Sequence, residues 1–136
     1  MSITIVYFSN YSGNTKRFVE KVDNGQYDII RIPISWDDSD PIIAKNKYVL
    51  FVPTYGGGSE RSAIPRQVRS FLNIPENREL LIGIVGLGNT NFGNHYCKAA
   101  EMISGKTGIP IIARVEIFGT SEDVQKVRKR LEKLNG

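Results

Sequence analysis

The fold is decided by the start of the chain, where residues 3–15 read ITIVYFSNYSGNT. The β-branched and aromatic residues at 3–8 predict a strand. A polar turn follows, rich in hydroxyl and amide side chains: Ser9, Asn10, Tyr11, Ser12, Gly13, Asn14 and Thr15. This turn enters an amphipathic helix predicted over Thr15–Val22, so backbone N–H groups and a favourable helix dipole converge on it. Such a turn is suited to binding a phosphate group.

The composition of this turn narrows the kind of phosphate ligand. Gly13 permits a tight turn with exposed N–H groups. The absence of a lysine and of a GxxxxGK[ST] pattern argues against a nucleoside-triphosphate site, and the absence of GxGxxG argues against a dinucleotide site. A phosphate monoester held mainly by neutral donors fits best. The alternative is an ordinary Ser/Asn/Gly turn that merely begins a helix.

Strands and helices alternate along the rest of the chain. Further strands are predicted at Tyr27–Ile32, Lys47–Val52, Leu80–Leu87 and Ile111–Phe118. Further helices are predicted at Ala63–Leu72, at Tyr96–Ser104 and from Thr120, where Asp123 completes a cap. The alternation predicts one domain built on a parallel sheet covered on both faces. Residues 33–46, with two prolines and three aspartates, are predicted to be a loop that leaves one face thinly covered.

Two further loops are expected at the same edge of the sheet, because the carboxyl ends of parallel strands lie together. After the third strand, Thr54 and Tyr55 precede the glycines Gly56–Gly58, which let the backbone approach a flat ligand closely. After the fourth strand come small residues together with Phe92 and Tyr96. Phe92 is the predicted stacking ring, with Tyr55 and Tyr96 as weaker candidates. A core or rim position for each of these aromatics remains the alternative.

The bulk composition excludes several classes of protein. The chain has 136 residues, a net charge of +4 and a single cysteine, Cys97. A single cysteine excludes an intrachain disulfide and permits a reducing, cytoplasmic location. We see no signal-peptide pattern and no apolar run of the roughly 18 residues that a membrane span needs. Positive charge favours anionic partners, but we interpret the basic C-terminal residues as a solvated helix face.

Single residues with reactive side chains are given ordinary interpretations. Cys97 is predicted to be a buried small side chain. His95 is interpreted as a structural residue at a helix start. No group of His, Cys, Asp and Glu has the spacing of metal ligands.

Specific motifs connect the chain to a known family. The turn Ser9–Thr15, SNYSGNT, is similar to the phosphate loop of flavodoxins. The stretches PTYGGGSERSAIPRQVRSFL (53–72), GNTNFG (88–93) and FGTSEDV (118–124) resemble the NrdI family. The likeness covers nearly the whole chain and is weakest over 23–46. It implies an α/β, flavodoxin-like three-layer sandwich with a five-stranded parallel sheet of order 2-1-3-4-5.

The resemblance also implies a binding site for FMN. The family holds the FMN 5′-phosphate with its first loop, a role that falls here on Ser9, Asn10, Ser12, Asn14 and Thr15. The other cofactor-binding residues implied come from all three loops: Tyr11, Gly13, Thr54, Tyr55, Gly56, Gly57, Gly88, Asn89, Phe92, Gly93 and Tyr96. Gly56 and Gly57 are candidates to lie near the flavin N5, where a peptide that flips can follow its protonation. No catalytic side chain or metal ligand is expected, because the flavin carries the chemistry.

The function implied by the resemblance is activation of class Ib ribonucleotide reductase. The chain would accept electrons from a reductase, react with oxygen and supply a superoxide-type oxidant to the dimanganese small subunit, NrdF, for tyrosyl-radical assembly. Neither nucleic acid nor a membrane is an expected partner. The alternatives are a general electron-transfer flavodoxin, which normally has an acidic surface, and a binding module without flavin. Ser9, Asn10 and Thr54 replace the acids of a receiver domain, and Arg17 lacks the neighbouring cysteine of a tyrosine phosphatase.

Overall fold

Strands and helices alternate in the computed structural model, which describes residues 3–54, 63–88 and 97–135. Within these ranges the strands are β1 (Thr4–Phe8), β2 (Asp28–Ile32), β3 (Tyr48–Pro53), β4 (Leu81–Gly88) and β5 (Ile111–Glu116). The helices are α1 (Asn14–Val22), α2 (Arg66–Leu72), α3 (Pro75–Glu79), α4 (Lys98–Thr107) and α5 (Ser121–Asn135).

The strands form a parallel sheet in the order β2-β1-β3-β4-β5. β1 lies between β2 and β3, and its Tyr7 is paired with Arg31 of β2. The strand order therefore reverses between β1 and β3. In sheets of this type, ligands bind beyond the carboxyl ends of the strands at the reversal. The predicted fold class and strand order are confirmed, and the reversal lies where Ser9 follows β1 and Thr54 follows β3.

Two apolar clusters pack against opposite faces of this sheet. Successive side chains of a strand point to opposite faces, so β1 contributes Ile5 to one cluster and Val6 to the other. Helices α1 and α5 complete the first cluster with Phe18, Val19, Val22, Val124, Val127 and Leu131. Helices α2 and α4 contribute to the second with Val68, Phe71, Ala99, Ala100 and Ile103. The result is a sheet between two helical layers, with β1 and β3 buried along their whole length.

Residues 33–46, all of which are described, form turns and extended segments without a helix or strand, as predicted. The expectation of a thin covering is wrong, because Trp36 and Ala44 are buried in the second apolar cluster. Trp36 packs edge-on against Phe71, with the ring centroids 6.3 Å apart. The fully buried Asn77 of α3 accepts from the Ala44 N–H at 2.7 Å and donates to two carbonyls at 2.9 and 3.0 Å. The Asn77 side chain thus holds the segment 33–46, which connects β2 to β3 without a helix.

Some element boundaries differ from the prediction for local reasons. α2 begins at Arg66 rather than Ala63, because a proline disfavours helical backbone in the residue before it, and Pro65 itself is the N-cap. β5 ends before Phe118, which is 67% exposed in the turn that follows. α3 was not predicted, because its five residues, with Pro75 in the first turn, are too few to show a helical period.

Two local predictions are confirmed. The cap at the start of α5 is reciprocal: the Thr120 hydroxyl accepts from the Asp123 N–H at 3.1 Å, and the Asp123 carboxylate accepts from the Thr120 N–H at 3.3 Å. Cys97 is fully buried. It lies at the start of α4 with a left-handed φ of 59°.

Basic side chains fasten α5 to its neighbours. Arg128 donates to two carbonyls at the C-terminal end of α1, at 2.7 and 3.1 Å. Lys126 donates to the Arg114 carbonyl of the edge strand β5 at 3.2 Å. Arg130 donates to the Ile112 carbonyl of the same strand. Part of the C-terminal positive charge therefore serves the packing of the helix, in addition to facing solvent.

Candidate functional site

The predicted phosphate loop, residues 9–15, forms a closed turn between β1 and α1. The Gly13 N–H donates to the Asn10 carbonyl at 3.0 Å. The Asn10 side-chain oxygen accepts from the Ser12 N–H at 3.0 Å and from the Ser12 hydroxyl at 2.5 Å. Gly13 has a left-handed φ of 72°, which glycine adopts without strain. Asn10 and Ser12 thus bind each other and set the shape of the loop.

Ser9 is the most deeply buried residue at the base of this loop, together with Thr15. Its exposed fraction is 1%, and its hydroxyl has no hydrogen-bond partner among the residues that the structure describes. A buried polar group left unpaired costs about 1–3 kcal/mol. A ligand with hydrogen-bonding oxygens at this position would satisfy the Ser9 hydroxyl, so the loop fits a phosphate group.

The start of α1 supplies further donors. Because the N-cap is Gly13, it offers no side-chain acceptor to the first turn. The first backbone bond of the helix runs from the Arg17 N–H to the Gly13 carbonyl at 3.0 Å. The N–H groups of Asn14, Thr15 and Lys16 therefore have no partner within the helix. Their position at a helix N-terminus favours an anion.

Positive charge surrounds the outer side of the loop. A cavity of about 430 Å³ lies there, and its lining includes Lys16, Arg17 and Arg31, with Glu20 as an opposing charge. Burial raises the pKa of Tyr7, and the guanidinium of Arg31, 5.9 Å from the centre of its ring, opposes that rise. The electrostatics and the backbone donors therefore favour the same class of ligand, an anion.

Tyr11, a predicted cofactor-binding residue, lies at the rim of this cavity. Its side chain is 91% exposed, in contrast to the buried Ser9 and Thr15 at the base of the loop.

Thr54 connects the ends of the two other predicted loops. It is 8% exposed, and its N–H donates to the Leu87 carbonyl at 3.0 Å. Its hydroxyl accepts from the Ala99 N–H in the first turn of α4 at 2.9 Å. Thr54 begins the loop after β3, and α4 follows the loop after β4. The hydroxyl therefore has a structural role that was not predicted. The contact of Thr54 with the cofactor stays a prediction.

The glycines at the end of β4 have different surroundings. Gly88 is the last residue of the strand, and its carbonyl accepts from the Ile117 N–H at 2.8 Å. A Cβ on Gly86 would lie 2.8 Å from the Ala100 Cβ and 3.0 Å from the Cys97 Cβ. The small size of Gly86 is thus required by the packing of α4 on the sheet rather than by a ligand.

Part of the predicted site lies outside the described residues, and those assignments stay predictions. They are Tyr55, Gly56, Gly57, Asn89, Phe92, Gly93 and Tyr96. His95 also lies there.

Arg17 and Arg31 were missed by the reasoning from sequence. Arg17 donates to two oxygens of the loop, and Arg31 donates to a third. The one available signal was that Arg17 lies one turn beyond Asn14 on the predicted helix. Nothing in the sequence placed Arg31 against the loop, because the contact spans 22 positions and depends on the pairing of β1 with β2.

The part of the chain that the structure describes holds neither a group of metal ligands nor a membrane-spanning helix. No group of three His, Cys, Asp or Glu residues there could hold a metal ion. No helix in the described ranges is long and apolar enough to cross a membrane.

The architecture and the loop after β1 define a protein of the flavodoxin-like class. Solved structures that cover nearly the whole chain include a short-chain flavodoxin associated with a non-canonical PDU bacterial microcompartment, with a TM-score of 0.62, 16% identity and coverage of 98% of this chain and 97% of that one. Two-electron reduced flavodoxin from Megasphaera elsdenii gives a TM-score of 0.63 at 14% identity, covering 96% and 99%. At these identities the likeness shows the fold alone.

Sequence comparison identifies the family. The family model described as NrdI flavodoxin-like matches residues 6–129. Curated relatives named Protein NrdI include one from Photorhabdus laumondii, 46% identical over 95% of this chain and 89% of the relative, and one from Yersinia enterocolitica, 49% identical over 92% and 90%. The chain belongs to the NrdI flavodoxin-like family, and the resemblance inferred from its motifs is confirmed.

Proposed function

We propose that the chain is a single domain that binds FMN noncovalently, with the phosphate at the loop 9–15. The observation that carries this proposal is the buried, unpartnered hydroxyl of Ser9 at the base of the loop, within the described residues. Asn14, Thr15 and Lys16 would add backbone donors. This donor set is neutral, and the surrounding cations complement the dianion of a phosphate monoester.

The proposal places the flavin head between the loops that follow β3 and β4. Thr54 and Gly88 mark where these loops leave the sheet, beside the reversal of strand order. Tyr55, Gly56, Gly57, Asn89, Phe92, Gly93 and Tyr96 remain the residues assigned to it. When bound, FMN supplies one-electron and two-electron redox chemistry, and the chain holds and orients it.

The role we propose follows from membership of the NrdI family. The chain accepts electrons from a reductase in the cytoplasm and, in its reduced form, reacts with oxygen. It supplies a superoxide-type oxidant to the dimanganese small subunit, NrdF, of class Ib ribonucleotide reductase for assembly of the tyrosyl radical. The net charge of +4 supports this role over that of a general electron-transfer flavodoxin, because a cationic protein eases the accumulation of negative charge on the flavin during reduction, whereas an acidic surface opposes it.

Two measurements test the proposal in sequence. The purified chain is first titrated with FMN, and we expect quenching of flavin fluorescence with one site per chain. The reduced complex is then mixed with the manganese-loaded small subunit and oxygen, and a tyrosyl radical is sought by electron paramagnetic resonance. Reactions without FMN, or with an unrelated flavodoxin in place of this chain, serve as controls. A chain that takes up no FMN refutes the binding proposal. A flavin-loaded chain that reduces unrelated acceptors but yields no radical favours the general flavodoxin.

A further inference from the structure

We infer that Arg17 and Arg31 are positioning residues that hold the loop 9–15 in its phosphate-binding form. They would thereby set the preference of the site for FMN over riboflavin. This inference rests on the proposed function, because it concerns the same site. It assigns a role to two side chains that belong to different elements, α1 and β2, and that meet the loop from outside.

Arg17 binds the loop from the first helix. One nitrogen of its guanidinium donates to the Ser12 carbonyl at 2.9 Å and to the side-chain oxygen of Asn14 at 2.5 Å. With its oxygen engaged, the Asn14 amide has its NH₂ group left to donate to an anion. The same guanidinium offsets the partial negative charge of the Ser12 carbonyl oxygen, which would otherwise repel an anion. Arg17 therefore adjusts two groups of the loop toward binding negative charge.

Arg31 binds the loop from the neighbouring strand. Its guanidinium donates to the Ser9 carbonyl at 3.0 Å and lies over the ring of Tyr7, 5.9 Å from its centre. Tyr7 is the residue with which Arg31 pairs across the sheet. The contact fixes the peptide that follows Ser9, the residue whose hydroxyl is buried without a partner among the described residues. Arg31 therefore holds the backbone on which the proposed phosphate donor is mounted.

Both arginines also contribute charge without belonging to the neutral donor set. Their hydrogen bonds go to oxygens of the loop, so their positive charge lies next to the groups that would contact the phosphate. Riboflavin has the same ring system and no phosphate. Loss of either arginine should therefore weaken FMN binding and leave riboflavin binding nearly unchanged.

Arg78 provides a matched control on the same chain. It is exposed and donates to the Leu72 carbonyl at 2.9 Å, so Arg78→Gln also removes one positive charge and one arginine–carbonyl bond. It lies in α3, directly before β4, and so at the edge of the sheet opposite to the loop. The comparison separates a local effect on the loop from a general effect of net charge.

The experiment measures dissociation constants for FMN and riboflavin by fluorescence quenching in Arg17→Gln, Arg31→Gln, Arg78→Gln and the unchanged chain. We expect about a tenfold or greater loss of FMN affinity in the first two variants, and changes within about twofold for riboflavin and for the control. The ³¹P resonance of bound FMN should move in Arg17→Gln and Arg31→Gln and stay in place in Arg78→Gln. Arg17→Lys and Arg31→Lys, which keep the charge, should recover part of the FMN affinity and provide folded variants if glutamine is not tolerated.

The outcomes separate the two proposals. Three outcomes would overturn the inference about the arginines and leave the proposed function standing. Arg17→Gln and Arg31→Gln could lose FMN and riboflavin affinity equally, Arg78→Gln could lose as much FMN affinity as they do, or they could lose no FMN affinity at all. Failure of the unchanged chain to bind FMN would overturn the proposed function and, with it, this inference.

Discussion

The Ser9 hydroxyl leads to a prediction in which stability and binding change in opposite directions. In the ligand-free protein this buried hydroxyl has no partner within the described residues. Removing an unpaired buried polar group recovers part of a cost of about 1–3 kcal/mol. We therefore expect Ser9→Ala to increase the free energy of unfolding of the FMN-free protein by about 1 kcal/mol.

The same substitution should weaken FMN binding. A hydrogen bond to a charged group contributes about 1.5–3 kcal/mol, which corresponds to a rise in Kd of roughly 10- to 150-fold. Urea unfolding of the FMN-free protein gives the first quantity, and fluorescence titration with FMN gives the second. FMN stabilises the native state to which it binds, and the stabilisation at a given FMN concentration falls as Kd rises. An excess of FMN should therefore stabilise Ser9→Ala less than the unchanged chain.

Ser104 provides the control for this pair of measurements. Its hydroxyl is partly buried and donates to the Ile109 carbonyl at 2.7 Å, so it has the partner that Ser9 lacks within the described ranges. Ser104→Ala should lower the stability by about 1 kcal/mol and leave FMN binding unchanged. The reasoning is refuted if Ser9→Ala destabilises the FMN-free protein as Ser104→Ala does, or if its affinity for FMN equals that of the unchanged chain.

Three further predictions concern the support of the site and its surroundings. Gly119→Ala should lower the free energy of unfolding, measured in urea, by roughly 2–4 kcal/mol. The φ angle of residue 119 is +62°, and the added Cβ would lie 2.4 Å from the ring of Phe18. A loss below about 1 kcal/mol would contradict this. Thr54→Val should lower the free energy of unfolding by about 1–3 kcal/mol, because the buried Ala99 N–H loses its acceptor. Thr54→Ser keeps the hydroxyl and should retain most of the stability. Equal losses in the two variants would argue against the hydrogen bond. Burial raises the pKa of Tyr48 in the folded state, so the stability it confers is present below about pH 10 and falls as the pH rises further. Urea midpoints measured up to about pH 11 should fall less steeply in Tyr48→Phe, and identical slopes would refute this assignment.

The fold could be predicted from the sequence because its signals are local. Near-continuous apolar runs mark the buried strands, and apolar residues at helical spacing mark α1 and α5. The reciprocal cap of Thr120 and Asp123 depends on two residues three positions apart, and it was predicted correctly. The start of α2 was predicted too early, because the apolar residues Ala63 and Ile64 before Pro65 fit the helical pattern. They are buried without being helical.

The site could be predicted only as far as its parts are contiguous in the chain. Hydroxyls, amides and a glycine before a helix indicated the loop 9–15, but not that the Ser9 hydroxyl is buried while Tyr11 is exposed. The contacts of Arg31 with that loop and of Thr54 with α4 join residues 22 and 45 positions apart. Such contacts follow from strand order and helix docking, which single-residue patterns do not encode.

The hydrogen bonds from α5 to β5 have a consequence for the behaviour of the protein in concentrated solution. An edge strand with unpaired N–H and C=O groups can pair with a strand of another chain. Here the Ile112 and Arg114 carbonyls already accept from Arg130 and Lys126, and an incoming strand would also meet their positive charge. Addition of a strand at this edge would therefore require Arg130 and Lys126 to release these two carbonyls.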